Sequence, residues 1–321
     1  MYFNYSHESI RYTGRFSPFG DTMTATAAGA AFEIAFSGDY ILLYFDTVGN
    51  EEPMPHLWLQ LDDESKYEVP LYKYLRIDTE PGDHILKVIY KGGKEIQPRF
   101  FHPLVGKISF KGYDAQKSGI LPEDNRKTIE FVGDSITEGV LIDAQIEPGN
   151  LEQDCRPFQD DVTATYAYTT AQNLGLRDLH MGYGAVGATT SGCGAVPKAA
   201  ESYPYCFEGA KVQYDHPDYI LINHGANDRG ATPEQYVSEY KGLLEVIRSI
   251  HPESVIICLS AFIGVFPNEL KATIEQFNKD NGDNVHFIDA TGWVPPEPLP
   301  PLRDGHKIIA EKLTNELKKI I

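Results

Sequence analysis

The stretch KTIEFVGDSITEG, residues 127–139, joins an apolar, β-branched run to a Gly-Asp-Ser turn and the start of a helical pattern. A strand that is apolar along its whole length is typical of a parallel sheet covered on both faces. Strands and helices alternate from this point to the C-terminus. The other predicted strands are YILINHG (219–225), SVIICLS (254–260) and NVHFIDA (284–290). This half of the chain is therefore predicted to be a three-layer α/β domain.

The clearest helix signal begins at Thr232 and Pro233, where Gln235 completes a capping box. The pattern stops before Pro252. Its apolar residues recur with helical spacing, so they form one buried face: Tyr236, Tyr240, Leu243, Leu244 and Ile247. This helix is expected to cover one side of the parallel sheet.

The chain has a different character before about residue 120. Apolar residues there alternate with period two, as in Phe32, Ile34 and Phe36 and again in Leu57, Leu59 and Leu61. Turn signals separate the runs, at Ser37-Gly38-Asp39, Pro81-Gly82-Asp83 and Gly92-Gly93. We therefore expect a β-sandwich or jelly-roll domain over residues 1–120 and the α/β domain over residues 121–321.

Composition restricts the class of partner. The 321 residues carry 46 acidic and 28 basic side chains, a formal net charge of −18. Such a charge argues against nucleic acid or an anionic membrane surface as partner, and a homo-oligomer is left open. The first residues lack a charged-then-apolar signal, and no apolar run approaches the roughly 20 residues that span a bilayer. A cytoplasmic protein is expected.

The cysteines do not suggest a metal site. Cys155, Cys193, Cys206 and Cys258 include no C-x-x-C pair. A zinc site or a redox motif is therefore not expected, and the thiols are predicted to be free. The sequence demands neither a metal nor another cofactor.

Ser135 lies where a buried strand turns into a helix, the place at which open α/β sheets bind their ligands. Taken alone, a serine at this point is more often the N-cap of the helix. Two further blocks reverse that interpretation. GYGAVGATTSG (182–192) is only a weak match to a dinucleotide loop, because the stretch about 20 positions on, where an acidic residue is needed, offers only Phe207 and Glu208 before another glycine. A glycine turn or an oxyanion-binding turn fits it better. INHGANDRG (222–230) places Asn227 after another strand, where its amide could donate to an oxyanion.

In this order and spacing, Ser135 of G-D-S-I, Gly187 of G-x-x-G-x-T and Asn227 of G-A-N-D resemble the SGNH, or GDSL-like, hydrolases. The β-rich N-terminus followed by KTIEFVGDSITEG further resembles carbohydrate esterase family 2, bidomain enzymes that remove acetyl groups from polysaccharides such as xylan and mannan. The resemblance implies that Ser135 is the nucleophile. It also implies an oxyanion hole formed by the Ser135 and Gly187 backbone N–H groups and the Asn227 amide.

The last block of the family is D-x-x-H-P, three residues and a glycine. Counting back from Gly305 places Pro300 in the histidine slot and Glu297 in the acid slot. Proline can act neither as general base nor as general acid, so activity of the chain is expected to be impaired. His306 is a weaker alternative base, because the positive end of the helix dipole at the first turn opposes an imidazolium. His180, His216 and His224 are expected to be structural.

Two further residues are candidates for substrate binding. Asp134 precedes the nucleophile, although hydrogen bonds to its own turn explain it equally well. Trp293 lies just before the histidine slot, where its ring could stack on a sugar or pack in the core. An acidic stretch from Asp143 to Asp161 is a solvated loop or a rim of the site.

Together these features predict a serine esterase that deacetylates carbohydrate. The alternatives are a short-chain esterase or thioesterase of the same fold, and a catalytically inactive sugar-binding protein.

Overall fold

The structure is a computed structural model and describes residues 1–144, 156–213 and 216–321. Its first part is a largely antiparallel sheet. The strands are β1 (Tyr2–Asn4), β2 (Ile10–Thr13), β3 (Ser17–Phe19), β4 (Thr22–Ala25), β5 (Ala31–Phe45), β6 (His56–Leu61), β7 (Tyr67–Pro70), β8 (Tyr74–Gly92) and β9 (Ile108–Ser118). The main path runs β3-β4-β9-β5-β8-β6-β7, with β1 beside β9 and β2 beside β5. The predicted β-rich fold of the N-terminal domain is confirmed.

The alternating residues of this domain form its core. Phe32, Ile34 and Phe36 are at most 1% exposed, and Leu57 and Leu59 are buried with them. The β9 strand ends at Ser118 and the next strand begins at Thr128. The proposed domain boundary near residue 120 falls between these two strands.

Two of the predicted turns are not turns. Ser37-Gly38-Asp39 lies inside β5 and Pro81-Gly82-Asp83 inside β8, and the two segments pair with each other. The register shifts between Gly38 and Tyr40, which marks a bulge in a continuous ladder. Gly38 has φ +150°, a conformation that glycine adopts without strain. Residue types that favour turns therefore lie here within two long paired strands, β5 and β8, at a bulge.

The second part contains a five-stranded parallel sheet. Its strands are β10 (Thr128–Gly133), β11 (Arg177–Gly182), β14 (Tyr219–Asn223), β15 (Val255–Leu259) and β16 (His286–Ile288), and a small hairpin is formed by β12 (Tyr205–Phe207) and β13 (Ala210–Lys211). The order in the sheet is β11-β10-β14-β15-β16. All pairings in the five-stranded sheet are parallel. The predicted three-layer domain is confirmed, and β11 is a strand that the sequence analysis did not predict.

Helices cover both faces of this sheet. They are α1 (Ser135–Glu138), α2 (Arg156–Gln159), α3 (Tyr166–Asn173), α4 (Ala199–Ser202), α5 (Pro233–Ile250), α6 (Pro267–Asn281) and α7 (Arg303–Leu317). Helices α5 and α6 pack on one face, and α3 and α7 on the other. The predicted helix is α5, with the capping box of Thr232 and Gln235 and the five predicted apolar residues fully buried.

A buried ion pair joins the two domains. Arg15, before β3, lies with its Nη2 2.9 Å from Oε1 of Glu130 on β10, and both side chains are at most 1% exposed. Arg15 also donates to the carbonyl oxygens of Tyr203 and Tyr205, and the Tyr203 hydroxyl donates to Glu130. Since each charge has its partner and further hydrogen bonds, the pair fixes the relative position of the domains.

We expect Arg15→Met to lower the free energy of unfolding by about 3–5 kcal/mol, because it leaves the Glu130 carboxylate buried without a cation. Arg76, which is half exposed and paired with an exposed Asp78, provides the control, and its substitution should cost at most about 1 kcal/mol. Urea unfolding of the two variants measures the difference. Equal losses would show that the Arg15 pair has no special structural role.

Candidate active site

The three sequence blocks follow strands that end at the same level. Gly133 of β10 is in register with Gly182 of β11 and with Asn223 of β14. Ser135 and Asn227 therefore follow strand ends that lie side by side at the carboxyl edge of the sheet. Ser135 is the first residue of α1 and is partly exposed. The N-cap is Asp134, whose Oδ1 accepts the Ile136 N–H at 2.9 Å, so the capping role proposed for Ser135 belongs to its neighbour.

Side-chain hydrogen bonds bring the blocks together. The Asn227 amide nitrogen lies 3.2 Å from Oδ2 of Asp134 and 3.1 Å from the carbonyl oxygen of Val186. The Thr190 hydroxyl donates to the Asn227 carbonyl oxygen at 3.1 Å. Asn227 is thus in contact both with the residue before the serine and with the turn that contains Gly187.

Two of the expected oxyanion donors are already used within the protein. The Gly187 N–H donates to the Thr190 carbonyl oxygen at 2.8 Å, and the Asn227 amide has the two acceptors named above. An oxyanion at Ser135 would have to replace these acceptors. The Gly187 N–H and the Asn227 amide thus lie near Ser135 in the fold but are both bonded to acceptors of the protein, and their role as oxyanion donors stays a prediction.

Asp228 is a site residue that the sequence analysis missed. It is fully buried and accepts the backbone N–H groups of Ala188 and Thr189, at 3.1 and 2.7 Å, and the Thr189 hydroxyl at 2.6 Å. A Cβ at Gly187 would lie 2.5 Å from Oδ1 of Asp228, so only glycine fits there. The signal was present in G-A-N-D, where Asp228 directly follows Asn227.

Asp134 is 1% exposed. Burial raises the pKa of its carboxyl group to about 7. Its hydrogen bonds with Ile136 and Asn227 order the turn around the serine. This burial favours the ordering role, and direct contact of Asp134 with substrate stays a prediction.

The histidine slot lies on the loop before α7. Pro300 is partly exposed and Glu297 is exposed. Arg303, the first residue of α7, donates its backbone N–H to the Ile142 carbonyl oxygen at 3.1 Å and pairs with Asp143 and Asp161. These contacts hold the loop beside the segment that follows α1. Within the described residues, the Ser135 hydroxyl forms no hydrogen bond to a histidine.

His306 is 0% exposed, inside the first turn of α7. Its Nδ1 accepts the Tyr166 N–H at 3.0 Å, and its ring stacks on the Tyr166 ring. Burial lowers the pKa of His306 to about 3. A general base must accept a proton and become charged, so this environment argues against His306 as an alternative base.

The lowered pKa of His306 predicts a pH dependence of stability. The unfolded histidine titrates near pH 6.5, so the folded state binds fewer protons than the unfolded state as the pH falls from about 6.5 toward 3. Stability is fully present above that window and is lost as the pH falls through it. His306→Asn keeps an acceptor for the Tyr166 N–H but cannot titrate. Between pH 6 and 4 the unchanged chain should lose about 1.4 kcal/mol per pH unit more than the variant in urea unfolding. Parallel pH profiles would contradict this account.

Trp293 is partly exposed and lies next to the core beneath the site. Its ring is 6.5 Å from the Phe262 ring, and it packs against the cluster that includes Ile136 and Ala226, the neighbours of Ser135 and Asn227. The ammonium of Lys312 lies 5.9 Å from the Trp293 ring centroid. Packing therefore accounts for part of the ring, and sugar stacking on Trp293 stays a prediction.

Part of the acidic stretch, with Glu147, Glu152 and Asp154, is outside the described residues, and so is Cys155. The other three cysteines are free thiols. A cleft of about 460 Å³ lies between the domains at the amino-terminal edge of the sheet, lined partly by Thr128 and Arg177. In the described part of the chain, no cluster of three or more His, Cys, Asp or Glu side chains could hold a metal ion. No helix there has the length and apolar character to cross a membrane.

Solved structures resemble the chain over nearly its whole length. A family two carbohydrate esterase from Clostridium thermocellum in complex with cellohexaose has a TM-score of 0.74 and 22% identity, and the match covers 97% of this chain and 98% of that one. An acetyl xylan esterase, Est2A, from the rumen bacterium Butyrivibrio proteoclasticus has a TM-score of 0.79 and 19% identity over 99% and 98% of the two chains. The chain therefore has the two-domain fold of these esterases.

A sequence relative is the cellulase/esterase CelE of Acetivibrio thermocellus, which is 27% identical over 236 residues. The match covers 67% of this chain, and the chain spans only 28% of the length of CelE. Residues 131–307, more than half of the chain, match the family described as GDSL-like Lipase/Acylhydrolase. These residues contain all three blocks around Ser135, so the chain belongs to the GDSL-like lipase/acylhydrolase family.

Proposed function

We propose that the chain is a serine esterase of O-acetylated carbohydrate in which turnover is impaired by the proline in the histidine slot. The observation that carries this proposal is that the Asn227 amide contacts both Asp134, the residue before Ser135, and Val186 of the second-block turn. Family membership supports an esterase, and the similarity to CelE and to an acetyl xylan esterase supports a carbohydrate ester as substrate.

In the proposed reaction the Ser135 oxygen attacks the acetyl carbonyl carbon. The carbonyl oxygen becomes an oxyanion bound by the Ser135 and Gly187 N–H groups and the Asn227 amide. The sugar hydroxyl then leaves with a proton, and water releases acetate from Ser135. A histidine would take the serine proton and pass it to the leaving oxygen, and Pro300 can do neither. Both proton transfers are therefore left to water.

A second candidate is a protein that binds carbohydrate without hydrolysing it. Two observations favour it: Pro300 occupies the histidine slot, and the Gly187 N–H already has an acceptor in Thr190. A binding protein needs the shape of the pocket but not a general base. A third candidate is a short-chain esterase or thioesterase, since the loops that shape the alcohol pocket decide between these substrates.

The experiment compares substrates with one preparation of the chain. Acetate release is measured from acetylated xylo- and manno-oligosaccharides, from 4-nitrophenyl acetate and from an acetyl thioester, and calorimetry measures binding of the deacetylated oligosaccharides. The proposal predicts slow release that is fastest from an acetylated oligosaccharide. Binding with no release, even after Pro300→His, would favour the binding protein, and preference for the simple ester or thioester would favour the third candidate.

A further inference from the structure

Glu138 connects the nucleophile helix to the second block. It is the last residue of α1, three residues after Ser135, and its side chain is 1% exposed. Its Oε2 accepts the Gly184 N–H at 2.6 Å. Gly184 begins the turn that leads to Gly187, the expected oxyanion donor. One buried carboxylate therefore joins the start of this turn to the helix that begins at Ser135.

The cation that pairs with this carboxylate comes from the other domain. Arg99 lies between β8 and β9, is 1% exposed, and forms an ion pair with Glu138. Its guanidinium carbon lies 5.2 Å from the Tyr183 ring centroid, and its backbone N–H donates to the Gly194 carbonyl oxygen at 3.1 Å. Arg99 thus contacts the start of the second block at Tyr183, the segment just after the block at Gly194, and Glu138 of α1.

The turn has little room to move away from these partners. A Cβ at Gly184 would overlap the carboxylate of Glu95, which also comes from the β domain and pairs with Arg156. At its other end, Asp228 holds the N–H groups of Ala188 and Thr189. The turn is therefore held by a carboxylate on each side, and only the Glu138 side depends on a residue of the β domain.

We propose that Glu138 is a positioning residue of the active site, and that Arg99 of the β domain supplies the cation that keeps its carboxylate buried at the Gly184 N–H. By accepting this N–H, Glu138 fixes the distance between Ser135 and the Gly187 donor. This assignment rests on the proposed esterase function. A misplaced oxyanion donor lowers transition-state stabilisation much more than it lowers substrate binding, so the effect belongs in kcat rather than in KM.

Two double variants separate positioning from simple loss of the ion pair. Arg99→Met/Glu138→Gln and Arg99→Met/Glu138→Leu both remove the two charges, so neither leaves a lone buried charge. Glutamine keeps a side-chain oxygen for the Gly184 N–H, whereas leucine does not. Hydrogen exchange of amides 184–190 is measured in the chain that retains Pro300. We expect exchange at least about tenfold faster in the leucine variant than in the glutamine variant.

The same pairs are then made with Pro300→His to measure turnover of an acetyl ester. The leucine variant should lose about 10²-fold in kcat with little change in KM, and the glutamine variant should keep most of its activity. Arg15→Met/Glu130→Gln is the matched control, because it removes another buried Arg–Glu pair between the same two domains without touching the second block. This control should change neither exchange at 184–190 nor kcat.

Equal exchange in the leucine and glutamine variants would overturn the proposal, and so would an equal increase in the Arg15 control. Glu138→Asp keeps the charge that pairs with Arg99 but shortens the side chain that reaches the Gly184 N–H, and it supplies the test if the leucine variant does not fold: faster exchange at 184–190 is expected, and unchanged exchange would overturn the proposal. If Pro300→His proves inactive, the proposed esterase function fails, while the exchange data still decide whether Glu138 positions the turn.

Discussion

We expect Pro300→His to raise the rate of acetyl ester hydrolysis by at least about 10²-fold. A positioned general acid and base contributes about 10²–10⁴-fold, and members of a triad act as a unit, so the gain can be larger. Ion pairs of Arg303 hold the loop that carries position 300. Arg303 ties the start of α7 to Asp143 and Asp161, and Asp161 also accepts the Trp58 indole N–H at 3.0 Å. A histidine at position 300 would lie on a loop that is held at the same edge of the sheet as Ser135.

The measurement is kcat/KM for an acetyl ester, with and without Pro300→His. Ser135→Ala combined with Pro300→His is the control and should return the rate to that of the unchanged chain. Circular dichroism establishes that each variant is folded. Two results would refute the expectation: rapid turnover by the unchanged chain, which requires another base, or no gain in a folded Pro300→His variant.

Asn227→Ala in the Pro300→His background should lower kcat by about 10²–10³-fold, the usual effect of removing one oxyanion donor. The matched control is Asn223→Ala. Asn223 is a buried amide at the end of β14, four residues before Asn227, and it donates to the carbonyl oxygens of Leu259 and Ser260. The Asn223→Ala variant should be less stable than its parent and should keep kcat within about fivefold of the parent value. An Asn227→Ala variant with unchanged kcat would show that its amide serves only Asp134 and Val186.

Local patterns were sufficient to predict most of the α/β domain. Strands β14 and β15 are apolar almost throughout, β10 is interrupted only by Glu130, and α5 carries its cap, its apolar face and its stop in one stretch. Strand β11 was not predicted, because Arg177, Asp178 and His180 interrupt its apolar pattern. These residues face the other domain, where His180 pairs with Asp178 and packs against Gly29. Burial by a second domain cannot be deduced from the periodicity of one strand.

The site was predictable to the extent that its residues are close in sequence. The order of Ser135, Gly187 and Asn227 identified the blocks, because each follows a strand of one sheet. The roles of Asp228 and Glu138 were not apparent, since each depends on a partner 39 to 46 positions away, such as the Gly184 N–H for Glu138 and the Thr189 N–H for Asp228. The use of Asp134 as cap instead of Ser135 is a difference of one residue that only backbone geometry decides.

The most direct test of the central claim is covalent labelling of the serine. A fluorophosphonate reagent modifies a serine that a neighbouring base activates, and intact mass with peptide mapping locates the label. We expect rapid labelling at Ser135 in the Pro300→His variant, and labelling at least about 10²-fold slower in the unchanged chain. The Ser135→Ala/Pro300→His variant should not be labelled at position 135. Equal labelling rates in the unchanged chain and in the Pro300→His variant, or a label on a different residue, would contradict the claim that Ser135 is a nucleophile whose base has been replaced by Pro300.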